Sequence, residues 1–291
     1  MNRARKSPTN VIFFAGARSM RGRFQYHALM TGRPAIFLWA LLAAMLLSTA
    51  EALPFGNSST AKQNLVFVTE QMKPFSYKED GKIRGIAADI VTEALNSAGI
   101  AHTLELLPWN RAVERSQTEP GVFIFCLART PEREHRFAWV APLAPAELVL
   151  FRLRSRGELA EVGRGNLAGY RVAAIRGYFT AEILRQWGVP EANVTLFPDQ
   201  NKQAVIEHLE LGRSDFFLGD VLVFGTLLKD AGKEDAVVQN SPSQRAGDYY
   251  LAAHPGTPPE VLRRVGEAVR SLQSDGRAQT IFQEYMRRTK P

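Results

Sequence analysis

The sequence contains little cysteine and no recognisable metal-binding motif. Cys126 is the single cysteine among 291 residues, which excludes an internal disulfide. The five histidines do not show the spacing of metal ligands, so we expect neither a metal nor a cofactor. Cys126 lies inside an apolar run, where a free thiol behaves as a small hydrophobic group. We therefore expect no catalytic role for it.

Acidic residues are absent from the first fifty positions, and this segment differs from the rest of the chain. It holds seven Lys and Arg residues and an uninterrupted apolar run over residues 35–47, followed by Ala50-x-Ala52. A basic segment, a short apolar core and a small-x-small exit are the parts of a secretory signal peptide, so we expect cleavage before Leu53. The apolar run is shorter than the ~20 residues that span a bilayer, which favours cleavage over a retained anchor.

The basic charge of the chain is concentrated in this leader. The full sequence has a net charge of +7, and removal of residues 1–52 lowers it to about +1, because seven basic residues and one acidic residue are lost. The high isoelectric point therefore does not indicate nucleic-acid binding. The leader is unusually long, which suggests that translation begins at Met20 or Met30. Residues 53–63 are small and polar, and we interpret them as a flexible N-terminal segment.

Apolar runs alternate with amphipathic segments along the rest of the chain, which predicts parallel strands covered by helices. The first part has expected strands at residues 65–69, 103–107 and 122–127, and expected helices at residues 85–98 and 110–117. The second part has expected strands at residues 170–175, 194–197, 215–218, 236–239 and 249–253, and expected helices at residues 180–186, 200–211 and 221–231. The chain is expected to close with a helical segment, residues 259–288, broken near residues 274–276.

A polar turn follows the central apolar strand and carries an arginine. The turn reads ARTPER over residues 128–133, and the pattern F-x-W-x-x-P follows over residues 137–142. Together with the opening PWNRA at residues 108–112, these motifs resemble the family 3 extracellular solute-binding proteins. Those proteins are the periplasmic receptors that feed polar amino acids to ABC transporters. The resemblance extends from about Leu65 to about Met286.

The resemblance implies an α/β fold of the two-lobe, type II periplasmic-binding-protein class, in which each lobe is a mostly parallel sheet covered by helices. Lobe 1 is expected to comprise residues 64–146 with 249–288, and lobe 2 residues 147–248. Two strands, near residues 145–150 and 245–249, are expected to form a hinge, with the ligand in the cleft between the lobes. The implied function is that of a monomeric periplasmic protein that captures a small carboxylate-bearing solute, such as an amino acid. It delivers the solute to an ABC permease without catalysis, and it has no nucleic-acid partner.

Arg133 is the residue that we expect to bind the carboxylate of the solute. An arginine beyond the carboxyl end of a buried strand can donate two parallel charge-assisted hydrogen bonds, and Thr130 belongs to the same family motif. The alternative is a solvated loop, because other charged residues surround Arg133. Ala128 stands where family members often have a hydroxyl residue, which weakens the assignment of an amino acid but not that of a carboxylate.

Asp220 is the residue that the resemblance assigns to the amino group of the solute. The alternative is that it caps the helix expected at residues 221–231, a role worth ~1 kcal/mol. Gly177 precedes another expected helix, and backbone N–H groups at such a turn favour an anion. Tyr178 and Phe179 stand there in place of the family's usual Ser or Thr. An ordinary strand-to-helix turn is the alternative.

Apolar side chains of lobe 1 are expected to enclose the side chain of the solute. We expect Trp109 and Phe75 to form aromatic walls, with Tyr77 as a weaker candidate, although a tryptophan more often fills a core. Family members commonly place an aromatic residue where this chain has Met72. A soft thioether indicates a different or looser side-chain preference.

Two other functions are compatible with the sequence. The first is an enzyme on the same scaffold, such as the periplasmic cyclohexadienyl dehydratases, for which Glu70 is the candidate general acid or base. The second is a sensor or assembly module, because domains of this type also precede kinases and cell-wall enzymes. That role requires a separate partner here, since we expect no further domain after Pro291.

Overall fold

A computed structural model describes residues 64–157, 162–240 and 242–289 of the chain. The predicted signal peptide and flexible N-terminal segment, residues 1–63, lie outside the described residues. Within the described ranges, no helix is both long enough and apolar enough to cross a membrane.

Three parallel strands form the centre of lobe 1, as the apolar runs predict. Its elements in chain order are β1 (Leu65–Thr69), β2 (Tyr77–Glu79), β3 (Lys82–Arg84), α1 (Ile86–Ser97), β4 (His102–Leu106), α2 (Trp109–Thr118) and β5 (Val122–Ala128). Strand β1 pairs in parallel with β4 on one side and β5 on the other. Every residue of β5 is buried, which agrees with a strand covered on both faces.

Lobe 2 is built on a second parallel set. Its elements are β7 (Val172–Ile175), α3 (Phe179–Gln186), β8 (Val194–Phe197), α4 (Ala204–Glu210), β9 (Phe216–Asp220), α5 (Val221–Ala231) and β10 (Val237–Gln239). Strand β7 lies between β8 and β9. The bounds of β8 and α5 are those predicted, whereas α4 begins later than predicted because Asp199–Asn201 forms a separate turn of 3-10 helix.

Two long strands run through both lobes. Strand β6 (Ala138–Leu153) pairs antiparallel with β11 (Gln244–Ala253), and it also pairs with β9 and β10, while β11 pairs with β5. The strand order is therefore β4-β1-β5-β11-β6-β9-β7-β8, with β10 beside β6. The crossings expected near residues 145–150 and 245–249 lie within these longer strands. The exact residues at which the lobes divide stay a prediction.

The register between β6 and β11 is interrupted where β6 contains proline. Two of the register shifts adjoin the pairs that Pro142 and Pro145 form with β11. Proline has no backbone N–H to donate to the ladder, so regular pairing is lost there. The two strands that join the lobes are thus irregular in their middle parts.

Two helices close the chain against lobe 1. They are α6 (Pro259–Ser274) and α7 (Arg277–Thr289), and α6 buries Val265 and Leu272 in the same core cluster as the apolar face of α1. The break expected near residues 274–276 is confirmed. Gly276 lies between the two helices with φ 85°, a conformation that few other residues adopt.

A glycine fixes the entry into α1. Gly85 precedes the helix with φ 123° and ψ 165°, a combination that is essentially restricted to glycine. A Cβ at this position would collide with the backbone carbonyl of Phe75. The backbone N–H of Gly85 donates to the hydroxyl of Tyr285 at 3.0 Å. This residue therefore holds together the loop before β2, the start of α1 and helix α7.

We predict that Gly85→Ala lowers the free energy of unfolding by at least ~2 kcal/mol, because it combines backbone strain with a steric collision. Thermal melting of the purified chain measures this. The matched control is Gly225→Ala within α5, where a Cβ meets no atom within 4 Å and alanine is the better helix former. Equal melting temperatures for Gly85→Ala and the wild type would contradict the assignment.

Candidate functional site

The polar turn after β5 faces lobe 2 and carries Arg133. It forms a 3-10 helix, Pro131–Arg136, with proline at its first position, where a fixed φ and a missing N–H are tolerated. The backbone N–H of Arg133 donates to the carbonyl of Thr130 at 3.0 Å. The Arg133 side chain is only 8% exposed, so the alternative of a solvated loop does not hold.

The Arg133 guanidinium binds a carboxylate that belongs to lobe 2. Its Nη2 lies 2.7 Å and its Nε 3.1 Å from Oε1 of Glu182, which is on α3. The Thr130 hydroxyl donates to Oε2 of the same carboxylate at 2.9 Å. Arg133 and Thr130 therefore act together on one carboxylate, but the chain itself supplies it. Sequence reasoning missed Glu182, because acidic residues are common in the first turn of any helix.

The turn before α3 contacts both Arg133 and Trp109. The carbonyl oxygen of Gly177 accepts a hydrogen bond from Arg133 Nη2 at 3.1 Å and another from the indole N–H of Trp109 at 2.9 Å. The Trp109 ring lies edge-on to that of Tyr178, with centroids 6.0 Å apart. Trp109 thus joins the two lobes through its N–H as well as through its ring.

Beside an open pocket of about 300 Å³ that is lined by Thr130 and Glu182, two small cavities are enclosed among the predicted site residues. One of about 20 Å³ is lined by Glu70, Met72, Trp109, Cys126, Ala128, Arg133, Tyr178, Phe179 and Tyr249. Another of about 30 Å³ adjoins Asp220 and is also lined by Met72, Tyr178 and Phe179. Each has room for only one or two water molecules. The structure therefore brings most of the predicted site residues together in a closed interface.

Phe75 is the exception among the predicted site residues. It is fully buried in the core cluster that also contains Tyr77, and its ring packs against Tyr249 with centroids 5.1 Å apart. Phe75 lines neither cavity. The structure places it in a core cluster, because its loop folds inward against the start of α1, and its role toward a solute stays a prediction. Its backbone carbonyl accepts hydrogen bonds from the N–H groups of Ala87 and Ala88.

A second polar cluster joins the lobes beside the first. Glu70 follows β1, and its carboxylate accepts a short hydrogen bond from the hydroxyl of Tyr178. The same hydroxyl lies 3.1 Å from Oδ1 of Asp199. Nζ of Lys202 lies 2.8 Å from that Asp199 oxygen and 3.9 Å from Oε2 of Glu70, and it also donates to the carbonyl of Gln71. The Tyr178 hydroxyl is therefore already engaged within the chain.

Burial separates the protonation states of the two acids in this cluster. It raises the pKa of Glu70 well above its ordinary value, and the charge of Lys202 opposes the shift only in part. Burial also raises the pKa of Asp199, but the hydrogen bond with Glu70 and the charge of Lys202 outweigh it, so the net pKa is lowered. Of the two acids, Glu70 therefore binds a proton more readily than Asp199, whose charged form is stabilised by Lys202.

Asp220 caps helix α5. Its Oδ1 accepts the backbone N–H groups of Leu222 at 2.9 Å and Val223 at 3.1 Å. Its Oδ2 accepts the backbone N–H of Glu147 and the hydroxyl of Tyr249, each at 3.2 Å. Both oxygens are thus occupied by donors of the chain. The structure supports the capping alternative, and the role of Asp220 toward a solute amine stays a prediction.

Cys126 lies at the floor of the smaller cavity. It has φ 63°, which is unusual for a residue other than glycine, and its Sγ is 3.7 Å from the Ser76 hydroxyl. Burial raises the pKa of the thiol to about 12, and a neutral, enclosed thiol is a poor nucleophile. Across the described ranges, no group of His, Cys, Asp and Glu side chains is arranged to hold a metal ion.

Comparison with known proteins decides the family. The chain matches the sequence model of the bacterial extracellular solute-binding proteins, family 3, over residues 65–288. The chain belongs to this family. The resemblance inferred from the motifs around Arg133 is thereby confirmed.

Individual relatives match the chain along most of their own length. The probable amino-acid-binding protein YxeM of Bacillus subtilis (strain 168) is 23% identical over 256 residues, which cover 84% of this chain and 93% of that protein. A histidine kinase sensor domain with similarity to periplasmic binding proteins has a TM-score of 0.69 at 18% identity, covering 77% of this chain and 96% of that one. An ancestral arginine-binding protein bound to glutamine has a TM-score of 0.65 at 19% identity, covering 76% and 97%. The likeness to the solved structures confirms the predicted α/β fold class.

The burial of Asp220 predicts a specific pH dependence of stability. Burial raises its pKa to about 6, against the opposing effect of its hydrogen bonds to backbone N–H groups. The folded protein therefore holds this proton more tightly than the unfolded chain, and the resulting stabilisation is full below pH ~4 and is lost as the pH rises through about 6.

We predict that Asp220→Asn removes this part of the pH dependence, because the amide does not ionise yet its oxygen can still cap α5. The difference in unfolding free energy between wild type and variant is expected to change by up to ~3 kcal/mol between pH 4 and pH 7, with the wild type losing stability as the pH rises. Chemical denaturation across this range measures it. Parallel profiles for the two proteins would contradict a raised pKa at Asp220.

Proposed function

We propose that this protein binds a small carboxylate-bearing solute, an amino acid or a closely related zwitterion, between its two lobes. Membership of the solute-binding family supports this, and the relative YxeM is named as a probable amino-acid-binding protein. The observation that carries the proposal is the joint grip of Arg133 and Thr130 on a carboxylate where the lobes meet. Three donors converge there on one carboxylate.

The grip suits the carboxylate of an amino acid. A hydrogen bond to a charged group contributes ~1.5–3 kcal/mol, and micromolar binding corresponds to ~8 kcal/mol. Two or three such bonds therefore provide a large part of the binding energy, and burial of the solute side chain beside Trp109 and Met72 provides more. A lysine in place of Arg133 lacks the planar fork on which this geometry depends.

Entry of a solute requires the lobes to separate. The two cavities beside Arg133 and Asp220, of about 20 and 30 Å³, are far below the ~300 Å³ or more of a typical ligand pocket. The pocket of about 300 Å³ beside Thr130 and Glu182 does not have Arg133 or Trp109 in its lining. Strands β6 and β11 join the lobes and are irregular near Pro142 and Pro145, which makes their middle parts suitable as a hinge. A solute that contacts both lobes shifts the equilibrium toward a closed form, because its affinity for the open form is lower.

The cellular role that we propose is delivery of the solute to an ABC permease after export. The predicted signal peptide in residues 1–52 and the extracellular family support a periplasmic, monomeric receptor. Closure then produces a surface that a permease can distinguish from the open form. A sensor role is the second candidate, since a histidine kinase sensor domain shares the fold.

We predict that Arg133→Lys weakens amino-acid binding by about 10- to 100-fold, the size expected for a lost charge-assisted hydrogen bond. Isothermal titration against the twenty amino acids, preceded by a melting-temperature screen, identifies the solute and measures the loss. The matched control is Arg129→Lys in the same turn, whose side chain is 39% exposed and pairs with Glu134. Equal affinities for Arg133→Lys and wild type would exclude Arg133 from the site.

An enzyme built on this scaffold remains the alternative to a receptor. Glu70 is the candidate acid, because burial raises its pKa well above its ordinary value and it contacts the Tyr178 hydroxyl. We expect the bound amino acid to be recovered chemically unchanged after prolonged incubation, as judged by mass spectrometry. If the wild type instead converts the amino acid and Glu70→Gln does not, catalysis is established.

A further inference from the structure

Glu182 occupies the place that the sequence assigns to the carboxylate of the solute. Its carboxylate is on lobe 2 and accepts from Arg133 and Thr130 of lobe 1. Its side chain is 18% exposed and that of Arg133 only 8%, so the pair is largely withdrawn from water. A solute carboxylate that accepts from these same three donors must displace Glu182.

Displacement of Glu182 from Arg133 has an electrostatic cost, because the Glu182 carboxylate loses its cation. A mostly buried carboxylate that loses its cation, and gains a second carboxylate nearby, is strongly disfavoured unless a new positive charge or donor reaches it. Two cations of this region already have carboxylate partners. Lys202 is held by Asp199, and Arg129 is held by Glu134 and lies over the Trp139 ring.

Asp220 is poorly placed to take the ammonium of the solute. Four donors of the chain already fill its two oxygens. Binding an ammonium there would require it to give up part of the cap of α5 or its bond to Tyr249. Glu182, by contrast, is the acceptor that becomes available at the moment the solute carboxylate binds Arg133.

We propose that a zwitterionic solute enters between Arg133 and Glu182, so that its carboxylate replaces Glu182 on Arg133 and Thr130 while its ammonium binds the displaced Glu182 carboxylate. One ion pair of the chain is thereby exchanged for two ion pairs with the solute. This inference rests on the proposed function and names the residue that recognises the amine. It also makes Glu182 a determinant of specificity, because a carboxylate without an amine leaves Glu182 unpaired.

The test compares amino acids with their deaminated analogues. Titration calorimetry compares the affinity for L-glutamine with that for glutaramate, and the affinity for L-arginine with that for δ-guanidinovalerate. The proteins are the wild type, Glu182→Gln and Asp220→Asn. The amino acid that binds most tightly among the twenty is added, together with its own deaminated acid. The wild type is expected to prefer the amino acid by about 10- to 100-fold, the size of a charged hydrogen bond. Glu182→Gln is expected to reduce this preference to a few-fold, with affinity for the deaminated acid unchanged or increased.

Two further variants control for structural effects. Glu207→Gln removes an exposed carboxylate of lobe 2 on α4 and is expected to keep the full preference for the amine. Glu182→Asp keeps the charge on a shorter side chain and is expected to retain a reduced preference. If Glu182→Gln does not fold, as judged by circular dichroism, Glu182→Asp decides: a preference identical to that of the wild type overturns the inference.

The outcomes separate this inference from the proposed function. Binding of amino acids by the wild type, with the full amine preference kept in Glu182→Gln and lost in Asp220→Asn, overturns the inference and returns the amine to Asp220. If the wild type binds none of the twenty amino acids, the proposed function fails and the inference fails with it. Loss of the preference in Glu182→Gln alone supports both.

Discussion

A guanidinium that is withdrawn from water requires a carboxylate, and this requirement organises the region where the two lobes meet. The turn that follows strand β5 faces lobe 2, and Arg133 is buried in this turn. The carbonyl of Gly177 and the carboxylate of Glu182 approach it from the other lobe. The Glu182 carboxylate of this solute-binding family member thus has the same charge and shape as the solute carboxylate that Arg133 is expected to bind.

The contacts across the cleft are of a kind that can form and break. They include hydrogen bonds and ion pairs, such as Arg133 with Glu182, Trp109 with Gly177, and Lys202 with the carbonyl of Gln71. Water can replace such partners when the lobes separate, so the net free energy of each contact is modest. Strands β6 and β11 keep the lobes joined throughout. The geometry therefore suits reversible opening better than a sealed apolar interface does.

Two acids of lobe 2 illustrate how surroundings decide the role of a residue type. Asp220 sits at a strand end before a helix, and the unpaired N–H groups of that helix take one of its oxygens. Glu182 lies one helical turn inside α3 and has a longer side chain, so its carboxylate reaches across to lobe 1. The first is fixed in the architecture of its lobe. The second pairs with groups of lobe 1, and this pairing is lost if the lobes separate.

The sequence by itself determined the features that depend on neighbours along the chain. Apolar periodicity predicted helix α5 and strand β8 at their observed bounds. The position of Asp220 between an expected strand and an expected helix indicated a capping role, and the motif around Arg133 indicated a carboxylate partner. Only the tertiary structure decided that Glu182 is that partner, that Phe75 lies in the core, and that β6 and β11 extend through both lobes. Each of these outcomes involves groups more than forty residues apart in the chain, namely Arg133 with Glu182, Phe75 with Tyr249, and β6 with β11. Local pattern carries no information about which distant surfaces meet.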